Sequence, residues 1–394
     1  MVSPEERIRR CHSKLRTVSV TGTNGKSTTT SMLACIVQAS DEPYAKMTTL
    51  GADVNGKEIQ ETRALYRFLE TVEGAVSCGV QTMALEVTSK ALSQGFAQRW
   101  PAHVAVFTNL SRDHLDMHKS PEAYLASKAQ LFMHLHAEGI AILNADDPSS
   151  ALIEMVLPED ARVLWYSLSG KAADLSVQKI SVSLEGTHLI FHQSPASEFL
   201  GSELRLSVVG DVHGANGMAA ALAAKALGYS SKAIKEGLNR FQTLAGRFDI
   251  ISQQPLIVVD YAHTPDGLKG TLRTARPLCA GKLICVFGCG GERDRGKRPQ
   301  MGTIADQYAD IIILTTDNPR RENPDQIAKE IMKGRKGQAR WFIQHNRRTA
   351  IAFALEMASP EDVVIIAGKG HEKEQIIGTK TMPFCDVETV RALL

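Results

Sequence analysis

The segment VSVTGTNGKSTTTSMLACIVQA, from Val18 to Ala39, constrains this chain more than any other. A short apolar run leads into a glycine-containing turn, and a helix-compatible stretch follows at once. Gly22 and Gly25 let the main chain come close to a ligand, and the first amides of the helix offer positive partial charge to phosphate. Lys26 then suits the β and γ phosphates of a nucleotide, and Ser27 offers a hydroxyl to magnesium. The general phosphate-loop pattern asks for a glycine where this chain has Val20, so a strict pattern search passes it over. An ordinary strand-turn-helix connection is the plainer reading, but it does not account for the Lys-Ser pair that opens the helix.

Such a loop needs a buried strand before it and a helix packed on a sheet after it, and the rest of the chain agrees. Short Val- and Ile-rich runs alternate with longer helix-compatible stretches, the signature of α/β domains with parallel sheets covered by helices. Strands are expected at 17–20, 82–85, 104–108, 140–144, 256–259, 283–287, 311–315 and 363–367. Between Arg162 and Val209 the pattern alternates apolar with polar, which predicts an antiparallel or edge extension of the first sheet. A helix-like stretch ends at FQTLAGR and a new strand series begins, so two α/β domains are expected, 1–246 and 247–394, with a cleft between them. No internal repeat or low-complexity tract interrupts them.

Composition excludes several classes of function. With 45 Lys plus Arg against 43 Asp plus Glu, no overall field draws the chain to nucleic acid or a membrane surface. The seven cysteines are odd in number and include no CxxC pair, which points to a reducing, cytoplasmic compartment and no structural zinc. The opening MVSPEERIRRCHSKLR is polar and basic, unlike a signal peptide. No run approaches the ~18 apolar residues of a spanning helix.

Two further stretches carry chemistry. MALEVTSKAL places Glu86 at the carboxyl end of a strand, where open α/β sheets collect ligands. One carboxylate with phosphate oxygens and water is the usual habit of magnesium, although a strand-end glutamate can equally be a solvated charge. AVFTNLSRDHLDMHKSPEAYLASKAQLF gathers Asp113, His114, Asp116 and His118, but without cysteines or an HExxH spacing it is a poor zinc site.

TGTNGKST, FTNLSRDHLDMH and EAYLASKAQLF together resemble the Mur ligases; the first is shared with folylpolyglutamate synthetases. The resemblance implies a P-loop ATPase central domain followed by a Rossmann-like C-terminal ligase domain. It implies that Gly22, Thr23, Asn24, Gly25, Lys26, Ser27 and Thr28 hold the nucleotide phosphates. His114 matches a magnesium ligand, and Lys128 matches a lysine that is carbamylated to carry a negative charge. GDVHGANGMAA is similar to the adenine-contacting stretch, with Asn216 at the amide position and His213 where the family has a second asparagine. AGRFDI offers Arg247 to the phosphates, and DYAHTPDGL offers Asp260 and His263 to ribose and base. VFGCGGERDRGKRPQMG, TTDNPRREN, AGKGHEKEQ and NADDP narrow the match to the MurE-type, tripeptide-forming branch. In that branch Arg293, Asp317, Asn318, Arg320, Gly368 and Glu372 would receive an amino acid, and DNPR marks diaminopimelate. An Arg fork suits its carboxylate and a Glu its ammonium.

The implied chemistry uses ATP and two magnesium ions to convert an acceptor carboxylate to an acyl phosphate, which an amino acid's amine then attacks. Lys26, Glu86, His114 and carbamylated Lys128 form the catalytic set, and Ser27, Glu86, His114 and Lys128 the metal ligands. The partners are then two small molecules, a carboxylate acceptor and an amino acid, with no nucleic acid and no membrane. The acceptor side departs from the family. IQETRALYRF, with Thr62 and Arg63, stands where a TTP-type loop is usual, and EVTSKAL, with Thr88, Ser89 and Lys90, replaces EVSSHAL. The phosphate loop also begins at Thr21, from which the family's UDP-binding domain is expected to be missing. These departures predict an acceptor other than the UDP-linked muramoyl dipeptide. One alternative is that dipeptide itself, as in a true tripeptide synthetase. Another is a nucleotide-binding protein without chemistry, which the retained Lys26, Glu86, His114 and Lys128 argue against.

Overall fold

The computed structural model describes residues 3–394. It contains two compact units: the chain up to Leu110 with Ser120–Gln242, and Ser111–Lys119 with Thr243–Leu394. Among the described residues no helix is long and apolar enough to cross a membrane.

The first unit is built on eleven strands: β1 Arg16–Thr21, β2 Tyr44–Met47, β3 Ala52–Val54, β4 Lys57–Glu58, β5 Thr82–Glu86, β6 Val104–Phe107, β7 Ile140–Asn144, β8 Arg162–Ser167, β9 Leu175–Ser183, β10 Gly186–Phe191 and β11 Glu203–Leu206. Their order across the sheet is β11-β10-β9-β8-β7-β6-β1-β5-β2-β3-β4. β1 is central and pairs in parallel with both β5 and β6. Residues 17–21 are all buried, as expected of a parallel strand covered on both faces. The helix Lys26–Gln38 runs back from its end and packs against the helices Asp211–Ala226 and Ser231–Arg240. Phe68, Leu69, Val72, Met83, Leu85, Trp100, Phe107 and Phe132 fill the core on one side of the sheet. Each such side chain contributes roughly 1.5–3 kcal/mol on burial.

The alternating segment after Arg162 is only partly antiparallel. β9, β10 and β11 pair antiparallel, but β8 runs parallel to both β7 and β9. Arg162–Trp165 are exposed or half-buried, so β8 lacks the full cover of the central strands. The other edge, β2 with the short antiparallel strands β3 and β4, escaped the sequence reading. Strands of 3 and 2 residues are too short to show a period.

The second unit has β12 Asp249–Gln253, β13 Leu256–Asp260, β14 Leu283–Phe287, β15 Ile311–Leu314, β16 Arg340–Ile343 and β17 Val363–Ala367. The sheet order is β12-β13-β17-β14-β15-β16, parallel except for the edge strand β12. A separate hairpin joins β18 Glu374–Ile377 to β19 Lys380–Pro383. Parallel order brings the loops that follow β13, β14, β15 and β17 to one edge, where such sheets collect ligands. The end of β17 is tied down by Arg347, which binds both oxygens of Asp386 at 2.7 Å and donates to the Ala367 carbonyl at 3.0 Å. Removing one member of such a buried pair typically costs about 3–5 kcal/mol.

The sequence reading places 111–119 and 243–246 with the first domain, whereas their contacts group them with the second unit. The first is held there by ion pairs from Arg112 to Asp294 at 2.6 Å and from Arg293 to Asp116 at 3.3 Å, with Asp113 3.4 Å from His263.

Three histidines stack in the first unit, with ring centroids 5.6 Å apart for His12 and His103 and 4.4 Å for His103 and His136. His103 Nδ1 accepts the Thr17 amide at 3.2 Å, a bond only the unprotonated nitrogen can make. Burial, together with His136, His12 and Arg16 nearby, pushes its pKa down to about 4. The unfolded chain takes up that proton near its ordinary value of about 6.5. The folded state therefore loses stability as pH falls from about 6.5 through about 4. His103→Asn keeps an acceptor but does not titrate, so its melting temperature should fall less between neutral pH and this range. Identical pH profiles for variant and wild type would show that His103 contributes nothing to acid sensitivity.

Candidate functional site

In the first unit the site grows out of the end of β1. The chain turns at Gly22, where an added Cβ would stand 1.9 Å from Thr108 Oγ1. Gly25, the N-cap of the helix, has φ 85°, and a Cβ there would lie 2.3 Å from Asn216 Oδ1. Any larger residue at either position has to displace a neighbour, so the two glycines set how close the loop can lie to its surroundings. The loop is pinned by residues that sequence reasoning missed. Thr108 Oγ1 and Asn109 Nδ2 donate to the Asn24 carbonyl at 2.6 and 3.1 Å, and Asn109 Oδ1 accepts the Asn24 amide at 2.9 Å. Both lie in the FTNLSR block, but nothing local in that block shows where they point.

Four of the expected catalytic or metal-binding residues meet at this loop. Lys26 Nζ donates to the carbonyls of Gly22 and Thr23 at 3.0 and 2.7 Å. Ser27 Oγ donates to Glu86 Oε2 at 2.7 Å, because Glu86 ends β5 directly opposite Val20 of β1. The Thr49 amide also donates to Glu86 Oε2, at 3.0 Å, a contact with no sequence signal. Lys128 is 1% exposed; its Nζ donates to the Gly22 carbonyl at 2.7 Å and stands 4.3 Å from the centre of the Tyr124 ring. Tyr124 hydroxyl lies 3.3 Å from Thr23 Oγ1. Thr23, Thr28, His213 and Asn216 are buried polar groups of the same unit. Oxygen donors such as Ser27 and Glu86 suit a hard cation that keeps its remaining positions for water and phosphate oxygens.

The acceptor-side residues have structural employment. Thr88 Oγ1 accepts the Ala91 amide at 3.2 Å and caps the helix Ser89–Ser93, of which Ser89 is buried and Lys90 exposed. Arg63 binds Glu61 at 2.7 Å and lies over the Tyr66 ring, while Thr62 is exposed. The hydrogen bond from Arg63 holds the Glu61 carboxyl down at about 2.

In the second unit, Asp260 accepts from the amides of Phe248 and Ala262 and from Thr271, at 2.6–2.9 Å, and burial pushes its carboxyl up. Its two oxygens thus hold the start of the loop that carries His263. Asp113 lies 3.4 Å from His263 Nε2 and 3.4 Å from His114 Nε2. Burial alone would raise the Asp113 carboxyl, but the His263 hydrogen bond and the charges of His263, His114 and Lys297 hold it well below the usual range. Arg247 stacks on the Tyr261 ring at 4.3 Å. His114 groups with this unit, whereas Lys26, Ser27, Glu86 and Lys128 belong to the other.

The expected amino-acid residues are brought together at the edge of the second sheet. Asn318 Nδ2 donates to Glu372 Oε2 at 2.9 Å, and Asn318 Oδ1 accepts the Ile376 amide at 2.9 Å. Asp317 is buried and accepts the Asn318 amide at 2.6 Å, with Gly368 close beside its carboxylate. Arg320 is held by the Gly291 carbonyl at 2.7 Å. Arg293, by contrast, is paired with Asp116.

Comparison with known proteins matches this architecture. The model of the Mur ligase middle domain covers residues 20–224, and that of the Mur ligase glutamate ligase domain covers 246–370. The UDP-N-acetylmuramoyl-L-alanyl-D-glutamate–2,6-diaminopimelate ligase of Thermosynechococcus vestitus is 41% identical over 387 residues, 96% of this chain and 77% of that protein. The enzyme of the same name from a Nostoc species is 39% identical over 97% of this chain and 77% of its own length. A solved structure of a ligase of that name superposes with a TM-score of 0.67 at 34% identity, covering 100% of this chain and 83% of the other.

Proposed function

The chain belongs to the Mur ligase family, whose members are ATP-dependent amide ligases that form ADP and phosphate, and from that premise we propose that it adds diaminopimelate to UDP-N-acetylmuramoyl-L-alanyl-D-glutamate. The observation that carries this reading is the gathering of Lys26, Ser27, Glu86 and Lys128 about one phosphate loop, in a chain 41% identical to such a ligase over 96% of its length.

The expectation of a different acceptor finds no support among these relatives, which are named for the UDP-linked dipeptide. The residues that suggested it have other work: Arg63 neutralises Glu61 and Thr88 caps a helix, while Lys90 is exposed. None of these roles needs an unusual substrate.

In the proposed reaction an acceptor carboxylate oxygen attacks the γ-phosphorus of ATP, ADP leaves, and an acyl phosphate forms. The amine of the amino acid then attacks the acyl carbon and phosphate departs. Lys26 would leave its loop carbonyls for the phosphates, and the loop amides would hold the remaining charge. Ser27, Glu86 and a carbamylated Lys128 would hold magnesium, which supplies charge neutralisation to the phosphoryl oxygens. On the amine side, Glu372 suits an ammonium and Arg320 a carboxylate.

The test is a side-by-side assay with ATP, diaminopimelate and either the UDP-linked dipeptide or other carboxylates, read by mass spectrometry of the product. The tripeptide should form with a KM in the ordinary micromolar to millimolar range. Turnover of another carboxylate with none of the UDP-linked dipeptide would overturn the acceptor, and better use of lysine would overturn the amine.

A further inference from the structure

Lys369 follows β17 in the sequence AGKGHE, and its side chain is fully buried. A buried ammonium is costly unless all its donors are used. Here Nζ donates to Glu372 Oε2 at 2.8 Å, the Glu374 carbonyl at 2.7 Å and Asn318 Oδ1 at 3.2 Å. One side chain thus links the DNPR loop, the loop after β17 and the start of β18.

Glu372 Oε2 receives both Lys369 and the Asn318 amide, which fixes the carboxylate in one orientation. Its Oε1 takes no protein hydrogen bond among the described residues, and the Glu372 side chain remains 32% exposed. Asn318 is held just as firmly, since its Oδ1 takes Lys369 and the Ile376 amide while its Nδ2 donates to Glu372.

We infer that Lys369 is a positioning residue for the amino-acid substrate: it holds Glu372 and Asn318 so that one carboxylate oxygen stays available to the incoming ammonium. This rests on the proposed diaminopimelate-adding function. Lys369 is sealed from solvent; it acts through the two residues it orders. Preorganisation of this kind lowers the cost of binding one substrate and leaves the others alone.

The experiment compares wild type with Lys369→Met and Lys369→Arg by steady-state kinetics for all three substrates. Loss of a charged hydrogen-bond node should raise KM for diaminopimelate about 30-fold in Lys369→Met, with KM for ATP and acceptor within about twofold of wild type. Lys369→Arg keeps the charge but not the geometry and should fall between the two. Should the methionine variant fail to fold, the arginine variant decides by a rise confined to the amino-acid KM. A diaminopimelate KM equal to wild type, or one that rises in step with the other two, overturns the inference while leaving the function standing. A wild-type enzyme that turns over no diaminopimelate overturns the function and this inference together.

Discussion

Lys26→Ala and Glu86→Gln are each expected to lower kcat by about a hundredfold to a thousandfold, with the melting temperature nearly unchanged. Removing one preorganised charge-stabilising group commonly costs about 3–4 kcal/mol of transition-state energy. Lys26 Nζ holds the loop carbonyls of Gly22 and Thr23 and its side chain is only partly buried, so its loss removes a cation without opening a core cavity. In Glu86→Gln the amide oxygen can still accept from Ser27 and the Thr49 amide, so the local bonds survive while the charge for magnesium is gone. Near-normal turnover by either folded variant would mean that the phosphate loop is not the site of chemistry.

Lys128 should be carbamylated in the active enzyme, and Lys128→Ala should be nearly inactive. The ammonium first gives up a proton, the neutral amine attacks carbon dioxide, a nitrogen–carbon bond forms and a second proton leaves the nitrogen, so that a cation becomes an anion. Two features favour this. The side chain is buried beside the phosphate loop, with its Nζ at the Gly22 carbonyl, in the same unit as Ser27 and Glu86. Lys26 already supplies a cation there, so a second ammonium would repel magnesium, whereas a carbamate would bind it. Enzyme depleted of carbon dioxide should regain activity with bicarbonate, and carbon-13 bicarbonate should give a carbamate resonance that Lys128→Ala lacks. Activity indifferent to bicarbonate, with no such resonance in wild type, would refute the assignment.

Legibility in the sequence followed the range of the interactions involved. β5, β6 and β7 were readable because a parallel strand covered on both faces is a mainly apolar run, and β1, whose buried Thr17, Ser19 and Thr21 interrupt its valines, was readable from the glycine turn that follows it. The segment after Arg162 extends the first sheet to its edge, as its alternation led one to expect, but the antiparallel pairing begins only between β9 and β10, since β8 pairs in parallel with β7 and β9. At the site, Lys26 and Ser27 were plain from their place after the glycine turn. Thr108 and Asn109, which pin the same loop, were not, because they arrive from the next strand over. Lys369 was overlooked for the same reason: its neighbours in GKGHE do not disclose that it reaches Asn318 as well as Glu372.

The sequence by itself determined the α/β class, the strand-turn-helix of the phosphate loop and the residue types able to handle phosphate, magnesium and a zwitterion. These depend on local periodicity, on glycine at tight turns and on side-chain chemistry, all of which are written within a few neighbouring residues. Tertiary structure decided which acceptors satisfy the buried amines of Lys128 and Lys369, and that the segment 111–119 groups with the second unit through Arg112, Asp113 and Asp116. A buried charge is tolerated only where partners from distant parts of the chain converge on it, and that convergence exists only once the sheets have formed.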